Sequence, residues 1–250
     1  MKITDGVYML EIPANVLGTK NIINPTLIWD GNTAVLVDAG FPGQLQQIRE
    51  AIESEGIPCS KIGKIILTHQ DIDHIGSAAA IARELQGTCE VLACEAERAY
   101  IDGTRKPVKI AQLEENLEYL DEKMKFLYER MKEGFRLSIV HVDKTLTDGE
   151  VLPYCGGITV IHTPGHTPGH ICLYVKTHKI LIAGDVFVVN EGQLFPSKLS
   201  TNLDPVASLK SMEKLMEYDI EQVICYHGGL YRGKVNIRIE ELISSIKTHG

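Results

Sequence analysis

Four short apolar runs in this chain each lead into a side chain able to bind a metal ion, and that recurrence constrains the fold more than any other feature. Ile65-Ile66-Leu67 leads into Thr68-His69-Gln70-Asp71-Ile72-Asp73-His74-Ile75-Gly76. Val160-Ile161 leads into His162-Thr163-Pro164-Gly165-His166-Thr167-Pro168-Gly169-His170, Leu181-Ile182-Ala183 into Gly184-Asp185, and Val223-Ile224-Cys225-Tyr226 into His227-Gly228-Gly229. Apolar runs of this length, punctuated by Gly and Pro, read as buried strands. Ligands carried from several strand ends to one edge of a sheet system suit an α/β metalloenzyme, because rigid elements hold the geometry while loops admit substrate.

The segment after Leu67 is the densest of the four. Side chains at 69, 71 and 73 alternate with their neighbours, and adjacent Asp73 and His74 point different ways, so one short loop can feed two ions. The competing reading is a solvated acidic turn whose histidines cap the following helix. The three later strand ends weigh against it.

In order and combination these motifs, together with the turn Leu36-Val37-Asp38-Ala39-Gly40, resemble the metallo-β-lactamase-fold hydrolase superfamily over nearly the whole chain. The resemblance implies a four-layer α/β/β/α sandwich with a binuclear site between its halves, as one domain over residues 1–250. It implies that His69, Asp71 and His166 hold one ion, that Asp73, His74 and His227 hold the other, and that Asp185 bridges them. It also implies attack by a water bridging two divalent ions, deprotonated near neutral pH, on a polarised carbonyl or phosphoryl group, with Asp73 as the catalytic residue that orients it and shuttles its proton. Asp38 either supports a histidine ligand from behind or caps its own turn.

One position departs from the commonest family pattern, which has histidine where this chain has Asp71. Three carboxylates with two divalent ions (roughly +4) and a bridging hydroxide bring the formal charge near zero, about one unit below the usual set. Such a site is a weaker Lewis acid and favours harder ions, so iron or manganese stands beside zinc as the expected metal. Flavodiiron proteins, a branch of the same superfamily, also carry a carboxylate here, although nothing after His227 could encode their flavodoxin domain. Alternatively Asp71 turns outward, leaving one site weak or empty.

The remaining histidines and cysteines have plainer readings. His162 and His170 are expected as hydrogen-bonded turn residues, and His141, His178 and His249 as surface or packing residues. Cys225 reads as a small buried thiol. Cysteines at 59, 89, 94, 155, 172 and 225 form no paired framework, which points to a reduced, cytoplasmic protein. No secretory leader and no apolar run approaching about 20 residues is evident, so no membrane partner is expected. A net charge of −8 and a pI near 5.6 argue against a nucleic-acid backbone as partner.

Strands are expected near 6–12, 26–30, 33–38, 63–68, 90–94, 145–152, 157–162, 170–176, 180–184 and 222–226, with helices near 43–55, after Asp73, from Asp204-Pro205, and over 235–248. Ile110, Leu113, Leu117, Leu120, Met124, Leu127 and Met131 recur at spacings of three and four, which predicts a helical insert around 108–134. Its stripe packs on the enzyme's own body, or forms a homodimer contact or a wall over the active site.

The partner is expected to be a small-molecule substrate. Asp185 stands where class B1 and B2 β-lactamases supply cysteine, which disfavours a β-lactam. Only 23 residues follow His227, where hydroxyacylglutathione hydrolases place a helical extension, and the tyrosine expected of a lactonase is not evident after Asp185. Loops 14–25 and 190–201, with Val16, Leu17, Ile22, Leu194 and Phe195, could line an apolar pocket for an acyl group. The reading is a binuclear hydrolase of a small ester, thioester or lactone. The alternative is a di-iron redox protein or a non-catalytic, metal-dependent sensor.

Overall fold

Alternation along two neighbouring strands decides the layering. In Ala34–Val37, Val35 and Val37 face one side of the sheet and Leu36 the other; in Ile62–Leu67, Ile66 joins the first set while Ile65 and Leu67 join Leu36. Both faces of these strands are buried, as period-two side chains on a central parallel pair require. The computed structural model describes residues 1–16, 18–154 and 156–249. Leu17 and Cys155, and the side chains of Val16 and His249, lie outside the described residues.

The first sheet has seven strands, in spatial order Lys2–Thr4, Val7–Met9, Thr26–Trp29, Ala34–Val37, Ile62–Leu67, Glu90–Cys94 and Lys144–Leu146, parallel from Ala34–Val37 onward. The second has six, in order Val151–Leu152, Ile158–His162, Ile171–Val175, Ile180–Ile182, Gln222–Cys225 and Gly229–Arg232, with a parallel pair at Ile180–Ile182 and Gln222–Cys225. Val35, Val37, Ile66 and Leu92 meet Val160, Leu173, Ile182 and Ile224 between the sheets. Outside the first sheet, helices Leu45–Ser54, Ala78–Glu84, Val108–Glu115 and Glu122–Ser138 bring Ile48, Ile52, Ile81, Ile110, Tyr128 and Phe135 onto Leu36, Ile65 and Leu67. Outside the second, Pro205–Leu215 and Val235–His249 bring Met212, Leu215, Ile239 and Leu242 onto Ile161, Leu181 and Val223. The result is the expected four-layer α/β/β/α sandwich.

Several boundaries differ from the sequence reading. The strand expected at 145–152 is two strands in different sheets, because the turn around Asp148-Gly149, with Gly149 at φ 74°, carries the chain from one half to the other. The strand expected at 6–12 breaks after Met9, and Ile12–Val16 instead pairs with Thr19–Ile23 as a separate hairpin. The loop expected at 190–201 begins with a second hairpin, Phe187–Asn190 against Gln193–Pro196. The insert is two helices, interrupted at 116–121 and extending to Ser138, where Asp121 caps the second by accepting from Met124 N. Its Leu113, Leu117 and Met131 pack against the outer core, so the chain's own body covers much of the stripe.

Candidate metal centre

All seven residues anticipated as ligands come together at the ends of the strands. Six follow the parallel strands Ile62–Leu67, Ile180–Ile182 and Gln222–Cys225, and His166 comes from the loop joining Ile158–His162 to Ile171–Val175. They fall into two groups that could each hold an ion, His69 with Asp71, His166 and Asp185, and Asp73 with His74 and His227; within each group the ligand atoms lie within 4.8 Å of one another. Asp71 points inward: its Oδ2 is 3.4 Å from His69 Nε2 and 3.1 Å from His166 Nε2. Asp185 faces both groups. Its Oδ2 is 3.4 Å from His166 Nε2, while its Oδ1 is 3.3 Å from His74 Nε2 and 3.5 Å from His227 Nε2. Asp73 Oδ2 stands 3.3 Å from His227 Nε2.

The histidine rings are oriented from behind. Buried Asp38, held at φ 61°, accepts from Thr68 N and Thr68 Oγ1, both at 2.8 Å, and from His74 Nδ1 at 2.8 Å. A carboxylate here can only accept, so His74 carries a proton on Nδ1 and turns Nε2 toward the centre. The Thr68 hydroxyl spends its proton on Asp38, so at 3.0 Å it accepts from His69 Nδ1, which fixes that ring in the same sense. His166 Nδ1 donates to Asn202 Oδ1 at 3.2 Å. Tyr226 stacks on His74, with ring centroids 3.8 Å apart, and its hydroxyl donates to the Asp73 carbonyl.

The donor set fits a cation. His69 Nε2, His74 Nε2 and Asp185 Oδ1 are buried without an aligned hydrogen-bond partner, and each such atom costs about 1–3 kcal/mol unless something else satisfies it. Burial pushes His69 down toward the neutral form that a metal requires. Burial pushes the same way at His74 and His227, but Asp185 and its neighbouring carboxylates outweigh it. His74 is held well above its ordinary value and His227 is raised to about 10. Against the cost of burial, His69 and His166 together with Lys109 hold Asp71 well below the carboxylate range, and His227 and His74 do so for Asp185.

Three residues support the centre from outside it; His170 was expected as a hydrogen-bonded turn residue, while Glu97 and Lys109 escaped the sequence reading. Glu97 is wholly buried and accepts from Gln70 N and Gln70 Nε2, each at 2.9 Å, and from Gly169 N at 2.6 Å, tying the His69 loop to the His166 loop. His170 is a buried turn residue outside both groups. Its Nδ1 meets Thr163 Oγ1 at 2.9 Å, and its Nε2 accepts from Asp185 N at 2.9 Å. A side chain at Gly184, where φ is 49°, would come within 2.6 Å of that nitrogen, which explains the glycine before Asp185. The third is Lys109, from the insert, whose ammonium contacts Asp71 Oδ2 and lies 3.0 Å from His166 Nε2. No local motif marks Glu97 or Lys109, since their partners are distant in sequence. His162 is half-buried, its Nε2 3.2 Å from the Pro168 carbonyl oxygen.

A cleft of about 1110 Å³ opens over Asp73 and His227. Met9, Ile22, Ile23, Phe41 and Val189 supply its apolar wall, and Lys20, Asn190 and Lys198 are among its polar lining. Of the pocket residues anticipated in the described part of the chain, Ile22 is there, but Leu194 and Phe195 are not. Leu194 is buried in the outer core of the second half, and Phe195 lies under the Arg238 guanidinium.

The profile of the metallo-beta-lactamase superfamily matches residues 18–227. The chain is 28% identical to the probable metallo-hydrolase YflN of Bacillus subtilis over 244 residues, covering 91% of this chain and 82% of that protein. It is 27% identical to the hydroxyacylglutathione hydrolase GloC of Haemophilus influenzae, covering 65% of this chain and 66% of that protein. Over 95 residues, 37% of this chain and 34% of the other, it is 33% identical to the acyl-coenzyme A thioesterase MBLAC2 of Gallus gallus. Among solved structures, the metallo-beta-lactamase family protein TTHA1429 of Thermus thermophilus superposes with a TM-score of 0.75 at 20% identity, covering 99% of this chain and 81% of that one.

Proposed function

The chain belongs to the metallo-beta-lactamase superfamily of metal-dependent hydrolases, and on that premise we propose that it cleaves a small ester, thioester or lactone at a binuclear centre. The observation that carries this reading is Asp185, whose two oxygens face separate ligand groups at 3.3–3.5 Å. In this reading His69, Asp71 and His166 hold one ion, Asp73, His74 and His227 the other, and Asp185 stands between. Divalent ions bound there would polarise the scissile carbonyl and lower the pKa of a water at neutral pH. Zinc is the first expectation, and the three carboxylates also suit iron or manganese.

The protein's own groups supply position and proton handling. Asp73 lines the cleft and is partly exposed, so its carboxylate can accept a hydrogen bond from the attacking water and take its proton. Asp38 and Asn202 keep the rings of His74 and His166 from turning. Apolar residues from the two hairpins suit an acyl chain. GloC and MBLAC2 act on thioesters, which favours that member of the three substrate classes. Five buried, unpaired cysteines among the described residues support a reducing, cytoplasmic setting.

The test is a panel of chromogenic thioesters, esters and lactones assayed with zinc, manganese and iron loading, alongside elemental analysis. Asp73→Ala should lose about 10²–10⁴-fold in turnover. An Asp73→Ala protein with undiminished turnover, or a wild type that binds about two ions yet cleaves nothing in the panel, would sink this assignment.

A further inference from the structure

Lys109 is the second residue of the helix Val108–Glu115, and its ammonium reaches into the ligand cluster itself. It contacts Asp71 Oδ2, the oxygen that also faces His69 and His166, and lies 3.0 Å from His166 Nε2. The side chain is 28% exposed, so it reaches this position from the rim. Its placement is built in: Val108 N donates to Gln70 Oε1 at 2.9 Å, while Gln70 N and Nε2 both donate to buried Glu97. The start of the insert helix is therefore fastened to the loop that carries His69 and Asp71.

Two of the four donor atoms of the His69 group thus already serve an internal cation. A metal would bind those same atoms at about 2.0–2.2 Å. An ammonium hydrogen-bonded to the same carboxylate oxygen would then stand within a few ångströms of it, where like charges repel strongly in a partly buried site. The ion and the ammonium therefore compete electrostatically for the same carboxylate oxygen. Among the described residues no lysine or arginine forms an ion pair with Asp73, His74 or His227; Lys20 and Lys198 line the same cleft without pairing to that group.

Building on the ligand assignment above, we infer that Lys109 is a positioning residue that regulates loading of the His69–Asp71–His166 site. Its ammonium competes with the ion for Asp71, so the two sites fill in sequence, with the Asp73–His74–His227 site first. The same pairing gives Asp71 a role that histidine could not fill, since a neutral ring would offer the ammonium no counter-charge. The insert helix becomes part of the metal centre, and movement at its N-terminus would change the occupancy of one site and spare the other.

The test is stepwise cobalt(II) titration, followed by visible absorption and by competition with a chromophoric chelator. It would use wild type, Lys109→Met and Lys109→Arg, with urea unfolding of each chelator-treated protein as a check on folding. Wild type should show two unequal affinities. Lys109→Met should tighten the weaker by about tenfold, equivalent to about 1.4 kcal/mol, and leave the stronger unchanged. Lys109→Arg should keep the wild-type pattern. In an Asp71→His background, Lys109→Met should change the weaker affinity by less than about threefold, about 0.65 kcal/mol. Equal affinities in wild type, or a Lys109→Met protein whose weaker site is unchanged or weaker still, would overturn the inference. Failure of every variant to bind cobalt would overturn the metal assignment beneath it as well.

Discussion

Glu97→Gln should cost this protein stability out of proportion to the size of the change. The wild-type carboxylate is fully buried and accepts three N–H groups, two from Gln70 on Oε2 and one from Gly169 on Oε1. Glutamine keeps a single oxygen. The less costly orientation leaves that oxygen with Gln70 and turns the amide NH2 toward the Gly169 N–H, so one bond to a charged group is lost, worth about 1.5–3 kcal/mol. Two donors then face each other in a buried space, at about 1–3 kcal/mol, while the smaller cost of burying a neutral group offsets part of the sum. The net expectation is a loss of about 2–4 kcal/mol, which for a chain of this length lowers Tm by about 2–4 °C per kcal/mol. Urea unfolding followed by Trp29 fluorescence and by circular dichroism, in chelator so that ions add nothing, measures it. Glu97→Ala should lose more. A loss below about 1 kcal/mol in both variants would refute the claim that Glu97 carries the His69 and His166 loops.

Two further outcomes are expected. Gly228→Ala would place a Cβ 1.8 Å from the Val189 carbonyl oxygen at a φ of 88°, so the backbone beside His227 must move. Stability should fall by about 1–3 kcal/mol, and the His227 ion site should weaken in the same titration; unchanged affinity would count against the contact. In metal-free protein at pH 7.5, His227 is charged, its pKa raised to about 10 against the cost of burial by Asp185 and Asp73, and the carboxylates Asp185 and Asp38 push His74 in the same direction. Binding an ion should then release the His227 proton, seen as an enthalpy that varies with the buffer's ionisation heat. The sign follows for stability too. A raised folded pKa contributes stability fully present below the ordinary value of 6.5 and lost as pH rises through about 10, so chelated protein should weaken across that window. Buffer-independent enthalpy would contradict it.

The strand ends were legible because burial on both faces leaves an unbroken apolar run, and each run stops where a ligand begins. The cap at Asp204-Pro205 was equally plain, and Asp204 Oδ1 accepts from Ala207 N at 2.9 Å. The two hairpins beside the cleft were not read. Ile12–Asn15 alternates buried and exposed residues but carries Pro13, and Thr19–Ile23 is exposed until Ile23, so their pairing left little signal, while Glu191 and Gly192, both at positive φ, form a two-residue turn whose Gly was the available signal. Asp148-Gly149 marked the break at 147–150, but the flanking strands Lys144–Leu146 and Val151–Leu152 are only three and two residues long, and only the topology assigns them to different sheets. Glu97 and Lys109 were invisible for another reason. Their partners lie 27 to 72 residues away for Glu97 and 38 to 57 for Lys109, and no local pattern encodes a contact made only when the sheets come together.

Neither ligand group belongs to one half of the sandwich. His69 and Asp71 come from the first sheet's side and His166 and Asp185 from the second's; Asp73 and His74 face His227 across the same seam. An ion held by either group is therefore a cross-link between the halves, and its binding free energy accrues to the seam where the substrate cleft opens. Cut at the 147–150 turn, the chain would yield two fragments, each with a partial ligand set and no complete centre. Their reassembly would be read out by metal uptake, and metal supply would set how firmly one half is clasped to the other.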